Sequence, residues 1–205
     1  IIDVGGYYKA GNAVGVFGRS SFLIFIVVLG IESARQTVAR LKKGRRMEEL
    51  EQFALNDSMT GMYNRNAYDY FVKNEKDFEG YVIVTFDLNN LKQCNDQYGH
   101  RAGDEYIINA AHIIEDNFER YGKCYRIGGD EFCCIIPKGR YFKIERVMHK
   151  IDQDVEILNH KNIIPVPVGI AYGYAVFTAD DTDPEKVRER ADKDMYRNKK
   201  TMKQF

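Results

Sequence analysis

Residues 126–136 read RIGGDEFCCII, and this stretch predicts two strands joined by a tight turn. The apolar segments from Cys124 to Ile127 and from Phe132 to Ile136 have the composition of strands. Between them, Gly128 and Gly129 permit the positive φ that a short hairpin turn demands. The segment therefore predicts a β-hairpin within a sheet.

The hairpin tip carries two adjacent carboxylates, Asp130 and Glu131. Like charges so close repel each other unless water or a cation separates them, so the pair either faces solvent or holds a metal. On spacing alone the solvated turn is favoured, because Gly and Asp are common turn residues.

An almost continuously apolar run extends from Tyr81 to Phe86 and ends at Asp87. This pattern predicts a central strand that is buried on both faces. An acid at the end of such a strand is well placed to bind a metal ion. It could equally cap the helix that follows, and the residues themselves leave both alternatives open.

Helical and strand patterns alternate through the rest of the chain and predict an α/β domain of the α+β type. Asp104 is predicted to be the N-cap of the second helix, and Asp183 that of the last one, which has Pro184 at its first position. The predicted elements are helices from Leu88 to Tyr98, after Asp104, from Lys143 and from Asp183, and a strand from Val168 to Phe177.

An entry segment from Asn56 to Tyr68 precedes these elements. Asp57 or Ser58 can cap a turn there, and Asn64 can cap the next helix. The residues of that helix expected to point inward are Ala67, Tyr70 and Phe71.

Four segments together resemble the GGDEF family of diguanylate cyclases, which condense two GTP molecules into cyclic di-GMP. Gly128 to Phe132 matches the signature loop letter for letter. Residues 57–65 resemble the entry motif D-x-L-T-G-L-x-N-R, and residues 191–199 match A-D-x-x-M-Y-x-x-K. Asp87 to Asp104 resemble D-x-D-x-F-K-x-x-N-D-x-x-G-H-x-x-G-D, although Asn89 replaces the second Asp and Leu91 the aromatic residue.

The resemblance, which covers Asp57 to Lys203, implies a metal site for Mg²⁺ or Mn²⁺. Its ligands would be Asp87, Asp130 and the Leu88 carbonyl. Glu131 would be either a further metal ligand or the base that takes the hydroxyl proton, and the sequence leaves these two roles open.

The resemblance also implies how GTP is held. The Gly128–Gly129 turn would let the backbone approach the nucleotide. Lysines would neutralise the phosphates, with Lys203 standing where the family usually has Arg, and a side-chain pair would recognise guanine. The implied phosphate-binding residues are Lys92, Lys199 and Lys203, and the implied guanine-binding residues are Asn95 and Asp104. A plainer interpretation of Lys199, Lys200 and Lys203 is a solvated helix end.

The family's fold implies a palm-like nucleotidyl cyclase domain with a central, mostly antiparallel sheet flanked by helices. Two such domains must face each other as a homodimer, because each holds one of the reacting nucleotides. Residues 119–122, Glu-Arg-Tyr-Gly, replace the R-x-x-D product-binding motif, so feedback inhibition through that site is not expected. Alternatives are a non-catalytic GTP-binding or regulatory module, and a receptor fragment whose main task is dimeric signalling.

The N-terminal part has a different character. Val14 to Ile31 is apolar apart from Arg19 and two serines, which favours a membrane helix over a buried core helix. An excess of Lys and Arg follows, from Arg35 to Arg46, which places that side in the cytoplasm unless it is simply a solvated helix face. The expected organisation is a membrane region over 1–31, a helical signalling linker over 32–55 with Gly44 as its weak point, and the catalytic domain over 56–205, at the inner membrane. Since the chain begins with Ile1, we expect it to be a piece of a longer protein.

Composition excludes several other classes. Basic and acidic residues both number 30, so the overall charge does not indicate a nucleic-acid partner. The four cysteines form no C-x-x-C pair and are predicted to be small buried hydrophobic residues of a reducing compartment. The four histidines lack metal-ligand spacing.

Overall fold

The computed structural model describes residues 27–43, 54–139 and 143–202, and the chain divides into two compact units, 1–51 and 52–205. The described part of the first unit is helix α1, residues 27–43, whose side chains are all exposed. A helix was predicted over residues 32–55, and the structure confirms it up to residue 43. Residues 44–53 of this prediction, and residues 14–26 of the predicted membrane helix, lie outside the described part. Among the described residues, no helix has both the length and the apolar character needed to cross a membrane.

The second unit contains five further helices and four strands in its described residues. The helices are α2 (Arg65–Asn74), α3 (Leu91–Tyr98), α4 (His100–Phe118), α5 (Ile144–His160) and α6 (Pro184–Met202). The strands are β1 (Val82–Asn89), β2 (Lys123–Arg126), β3 (Glu131–Ile136) and β4 (Gly169–Val176).

The four strands form one sheet in the order β2-β3-β1-β4, and each neighbouring pair is antiparallel. The predicted architecture of a mixed helical domain around an antiparallel sheet is therefore confirmed. The central strand β1 is buried on both faces, as its apolar run predicted. Because it lies in the middle of the sheet, its residues from Val82 to Asp87 are held by ladders on both sides, and its last two residues pair with β4.

Alternate residues of β1 point into two different hydrophobic cores. Val84 and Phe86 pack with helices α4 and α5 on one face. Ile83 faces the other core, which is formed with α2 and α6. Asp87 has the same parity as Ile83, so it lies on the α6 face of the sheet.

Two helix starts differ from the prediction. β1 continues to Asn89, which pairs with Gly169, and Asn90 then takes a left-handed conformation with φ of 62° before α3 begins. The ladder with β4 therefore delays α3 relative to the predicted start at Leu88. The predicted N-cap role of Asp104 is wrong, because α4 already begins at His100, directly after Gly99 with φ of 81°.

Other local predictions can be compared directly. Asn64 caps α2, with its side chain accepting from Ala67 N at 3.0 Å, and all four cysteines are buried. Tyr70, however, is 66% exposed, because Tyr68 fills the inward position instead and packs edge-on against Tyr125.

Candidate active site

Three residues form a row across the end of the sheet on its α6 face. Asp87 lies directly opposite Glu131 on β3 and opposite Ala171 on β4. Side chains of directly opposed residues in an antiparallel pair have Cβ atoms roughly 5 Å apart on the same face. The fold thus brings together two of the predicted site carboxylates that are 44 positions apart in the sequence.

The loop that carries the third carboxylate is fixed by backbone hydrogen bonds. Ile127 N and Gly128 N both donate to Glu131 O, at 2.9 and 3.3 Å. On the other side, Leu88 N donates to Asp130 O at 3.0 Å, which ties the loop to β1. Asp130 therefore lies beside the end of β1 and not at a free hairpin tip.

The two loop glycines do not have the positive φ that the sequence predicted, and that expectation is wrong. A methyl group on Gly128 would come to 3.3 Å from Glu131 Oε2, and one on Gly129 would meet nothing within 4 Å. Since neither the backbone nor the packing requires glycine at 129, the absence of a side chain there leaves open space beside the loop.

Arg126 holds this loop through its guanidinium. Its Nε donates to Gly128 O at 3.2 Å and its Nη2 donates to Gly129 O at 2.9 Å. The remaining nitrogen, Nη1, donates to Asp57 Oδ1 at 3.0 Å. One side chain thus orients both glycine carbonyls and connects them to the entry segment.

Asp57 itself is held by the turn predicted for it. Its Oδ1 accepts from Thr60 N at 2.9 Å and from Thr60 Oγ1 at 2.8 Å. Burial alone raises the pKa of Asp57, but the hydrogen bonds from Thr60 and Arg126 outweigh this effect and lower its pKa. The sequence prediction assigned Asp57 only to the turn and gave Arg126 no role, although a lone Arg at the end of an apolar strand was a signal for one.

Lys199 reaches the same site from α6, with its ammonium paired to the Asp87 carboxylate. The helix can approach the sheet because Gly173 has no side chain, and a methyl group there would collide with backbone atoms of Met195 and Ala191. One residue before Lys199, Asn198 Nδ2 donates to Tyr172 O at 2.9 Å. Helix α6 is therefore anchored to β4 beside the lysine.

Among the described residues, the predicted metal ligands do not form a cluster of three acidic side chains. Asp87 instead forms an ion pair with the singly charged ammonium of Lys199. The donor atoms still fit a hard divalent ion, since Asp87 and Glu131 supply opposed carboxylates and Mg²⁺ and Mn²⁺ prefer such oxygen ligands.

The predicted guanine-binding residues lie at the contact of α3 with α4. Asn95 is half-buried, and a methyl group on Gly103 would collide with its side-chain oxygen. Asp104, the next residue along α4, is exposed. The structure thus places Asn95 against Gly103, the residue before Asp104. Lys92 is exposed on α3, and Lys203 lies outside the described residues.

A family model described as "Diguanylate cyclase, GGDEF domain" matches residues 54–204. The chain belongs to this family. The recognised resemblance is thereby confirmed, and the match includes both the entry segment and the signature loop.

Two curated relatives of this GGDEF domain carry diguanylate cyclase in their names. The chain is 30% identical over 175 residues to the bifunctional diguanylate cyclase/cyclic di-GMP phosphodiesterase MucR of Pseudomonas aeruginosa. This alignment covers 81% of the chain and 25% of MucR. The chain is also 29% identical over 158 residues to the diguanylate cyclase DgcS of Shewanella oneidensis, in an alignment that covers 74% of the chain and 52% of DgcS. The chain therefore spans about half or less of the length of these relatives.

The fold is also shared with solved GGDEF structures. The coiled coil and GGDEF domain of DgcB from Caulobacter crescentus, in complex with c-di-GMP, superposes with a TM-score of 0.70 at 23% identity. That likeness covers 84% of this chain and 95% of the solved one.

A cavity of about 290 Å³ lies between the sheet and α6 of the GGDEF domain. Glu131, Arg188 and Asp192 contribute to its lining, together with Thr85. Thr85 is 4% exposed and its hydroxyl has no hydrogen-bond partner within the described part of the chain. The rest of the lining is largely apolar, and this cavity next to the candidate site was not predicted from the sequence.

The missing product-binding motif has a structural basis at Gly122. A methyl group at this position would collide with the backbone carbonyl of Ile135, so the backbone leaves no room for an aspartate. Nearby, the Arg120 guanidinium lies 4.8 Å from the centre of the Tyr121 ring.

Proposed function

We propose that this GGDEF domain condenses two GTP molecules into cyclic di-GMP and releases two pyrophosphates. The observation that carries the proposal is the opposed pair of Asp87 and Glu131 at the end of the sheet, beside the Gly128–Gly129 loop. Family membership and the names of the curated relatives support the same reaction.

The reaction requires the 3′-hydroxyl of one GTP to attack the α-phosphorus of the other. A bound divalent cation, Mg²⁺ or Mn²⁺, neutralises phosphate charge and polarises the reacting oxygens in this type of chemistry. Asp87, Asp130 and the Leu88 carbonyl would hold it. Glu131 would either complete this set or accept the hydroxyl proton.

Phosphate binding is assigned to three lysines. Lys199 already lies at the carboxylate row, and Lys92 on α3 is exposed. An ammonium group neutralises phosphate oxygens as a point charge. We include Lys203 in this set on the family pattern alone.

Guanine recognition is assigned to Asn95 and Asp104. A carboxylate can accept hydrogen bonds from guanine N1–H and from the 2-amino group, whereas adenine offers neither donor on that edge. We expect turnover of GTP in preference to ATP. Equal turnover of the two nucleotides by the purified chain would remove this role from Asp104.

Catalysis requires two copies of the chain, because each copy presents one GTP. We assign control of this pairing to the helix that precedes the domain. Attachment to the inner membrane through Val14 to Ile31, with the catalytic domain in the cytoplasm, is a further proposal that rests on the apolar composition of that run. Fractionation of cells that express the full chain tests it, and recovery in the soluble fraction alone would reject it.

Product inhibition through the R-x-x-D site is not expected. The backbone carbonyl of Ile135 fills the space that an aspartate at 122 would need. Tight product inhibition that is lost in Arg120→Ala would contradict this proposal.

The deciding experiment incubates the full chain with GTP and Mg²⁺ or Mn²⁺ and measures cyclic di-GMP and pyrophosphate. Both products are expected from the wild type and neither from Glu131→Gln. A folded, dimeric preparation that binds GTP without turnover would instead identify a non-catalytic GTP-binding module. One observation favours this second function: Asp87 pairs with Lys199, and the described residues contain no cluster of three acids that could hold a metal.

A further inference from the structure

The ion pair between Lys199 and Asp87 joins two residues that the proposed reaction uses for different purposes. Asp87 is a proposed metal ligand and Lys199 a proposed phosphate-binding residue, yet the ammonium of Lys199 contacts the Asp87 carboxylate at Oδ1. Both side chains are largely shielded from solvent, with 22% of Lys199 and 18% of Asp87 exposed. Such a partly buried pair is screened less by salt than one on the open surface.

The position of the lysine is set by the anchoring of α6. The missing side chain at Gly173 lets the helix lie directly on β4, and Asn198 bonds the Tyr172 carbonyl one residue before the lysine. The Lys199 stem therefore starts close to the carboxylate row. Because the four-carbon side chain of lysine is flexible, its ammonium can move from one nearby acceptor to another.

Charge balance favours such an arrangement. Asp87 and Glu131 lie directly opposite each other, and like charges in this position destabilise a sheet. The Lys199 ammonium relieves part of that repulsion. A divalent cation would relieve more of it, but it needs the same carboxylate oxygens.

We propose that Lys199 is an internal counter-ion that competes with a divalent cation for Asp87 and is drawn away by the triphosphate of the nucleotide. The inference rests on the proposed function and assigns the lysine two successive partners, a carboxylate and then phosphate oxygens. The cation alone consequently binds weakly. Nucleotide and cation then bind cooperatively, because each favours the same position of Lys199.

The first test measures binding of Mn²⁺ alone, without nucleotide, to the full chain by calorimetry and electron paramagnetic resonance. Lys199→Met keeps the apolar stem and removes the charge, and it is expected to bind Mn²⁺ about three- to tenfold more tightly than the wild type. Lys199→Arg keeps the charge and is expected to stay near the wild type. Asp87→Asn is expected to lose this binding.

Lys200 supplies a matched control for the change in charge. It is the next residue of the same helix, is exposed, and its ammonium lies 4.5 Å from the centre of the Tyr196 ring. Lys200→Met therefore removes an equal charge without touching Asp87. Equal Mn²⁺ affinity in the two methionine variants, or unchanged binding in Asp87→Asn, would overturn the proposal. Should Lys199→Met fail to fold, Lys199→Gln carries the same comparison.

The second test measures the coupling between metal and nucleotide. Guanosine 5′-[α,β-methylene]triphosphate, which cannot be condensed, is titrated with and without Mn²⁺. The wild type is expected to bind the analogue more tightly when Mn²⁺ is present, and by a larger factor than Lys199→Met does, because the coupling between two ligands is the same whichever of them is titrated. Equal factors would reject the counter-ion role even if cyclic di-GMP is formed, whereas absence of cyclic di-GMP with an intact coupling would reject the proposed reaction and leave the lysine's role standing.

Discussion

Arg126 and Asp57 are joined by a hydrogen bond of 3.0 Å that links the signature loop to the entry segment. The same guanidinium binds the carbonyls of Gly128 and Gly129, so its removal frees the loop from the entry turn. Arg126→Ala is expected to lower the free energy of unfolding by about 2 kcal/mol, which lies within the usual range for hydrogen bonds to charged groups. Urea denaturation measures this change in the free energy of unfolding.

Arg126→Lys is the control for this prediction. It keeps the positive charge but loses the planar fork that serves three acceptors. Its stability is expected between those of the wild type and Arg126→Ala, while its cyclase rate is expected to fall close to that of the alanine variant. Full activity in Arg126→Lys would show that loop geometry does not depend on the fork.

The lowered pKa of Asp57 predicts an acid-sensitive contribution to stability. The pKa of Asp57 is lower in the folded state than in the unfolded state, where it is about 3.9. The carboxylate therefore stabilises the fold at pH values above the unfolded-state pKa, and this stabilisation is lost as the pH falls through the folded-state pKa. The stability difference between the wild type and Asp57→Asn should be constant from about pH 5 to 7 and shrink below about pH 4. A difference that stays constant down to pH 2 would contradict this.

Gly173 is expected to tolerate no side chain. A methyl group there would overlap backbone atoms of α6, which cannot move aside as a flexible side chain can. Gly173→Ala should cost about 3 kcal/mol or more of stability, because over-packing against backbone forces the helix away from the sheet. Thermal denaturation measures the loss, and a wild-type melting temperature would show that α6 is not held so closely.

Gly129→Ala is expected to separate folding from function. Gly129 has no positive φ and no atom within 4 Å of a new methyl group, so stability should change by less than about 0.5 kcal/mol. GTP binding should weaken if the nucleotide meets the loop as proposed, because the methyl group fills that space. Unchanged GTP affinity, measured by calorimetry, would place the nucleotide elsewhere.

The buried hydroxyl of Thr85 supplies a further test. Because this group has no partner among the described residues, replacing it with a methyl group of similar size is expected to stabilise the fold by about 1 kcal/mol. Thr85→Val should therefore melt at a higher temperature, and Thr85→Ser, which keeps the hydroxyl and loses the methyl group, at a lower one. A destabilised Thr85→Val would show that the hydroxyl binds water in the adjoining cavity.

The sequence by itself determined most of the element order, and its resemblance to the GGDEF family implied the antiparallel sheet. Apolar runs and caps such as that of Asn64 act over a few residues, so their effect can be predicted without knowing the fold. Boundaries were less accurate where the fold outweighed local preference, as at Asn89, which the ladder with β4 retains in the strand, and at Asp104, which lies inside α4.

Only the tertiary structure decided which distant side chains meet. The placement of Asp87 opposite Glu131 depends on the register between two strands, and the reach of Lys199 to Asp87 depends on the close packing of α6 at Gly173. Likewise, the hydrogen bond from Arg126 to Asp57 joins residues that are 69 positions apart in the sequence. Register and packing arise from the sum of many weak contacts across the whole core. The resemblance to the family grouped Asp87 with Glu131, but no local motif predicted their register, the ion pair of Lys199 or the contact of Arg126 with Asp57.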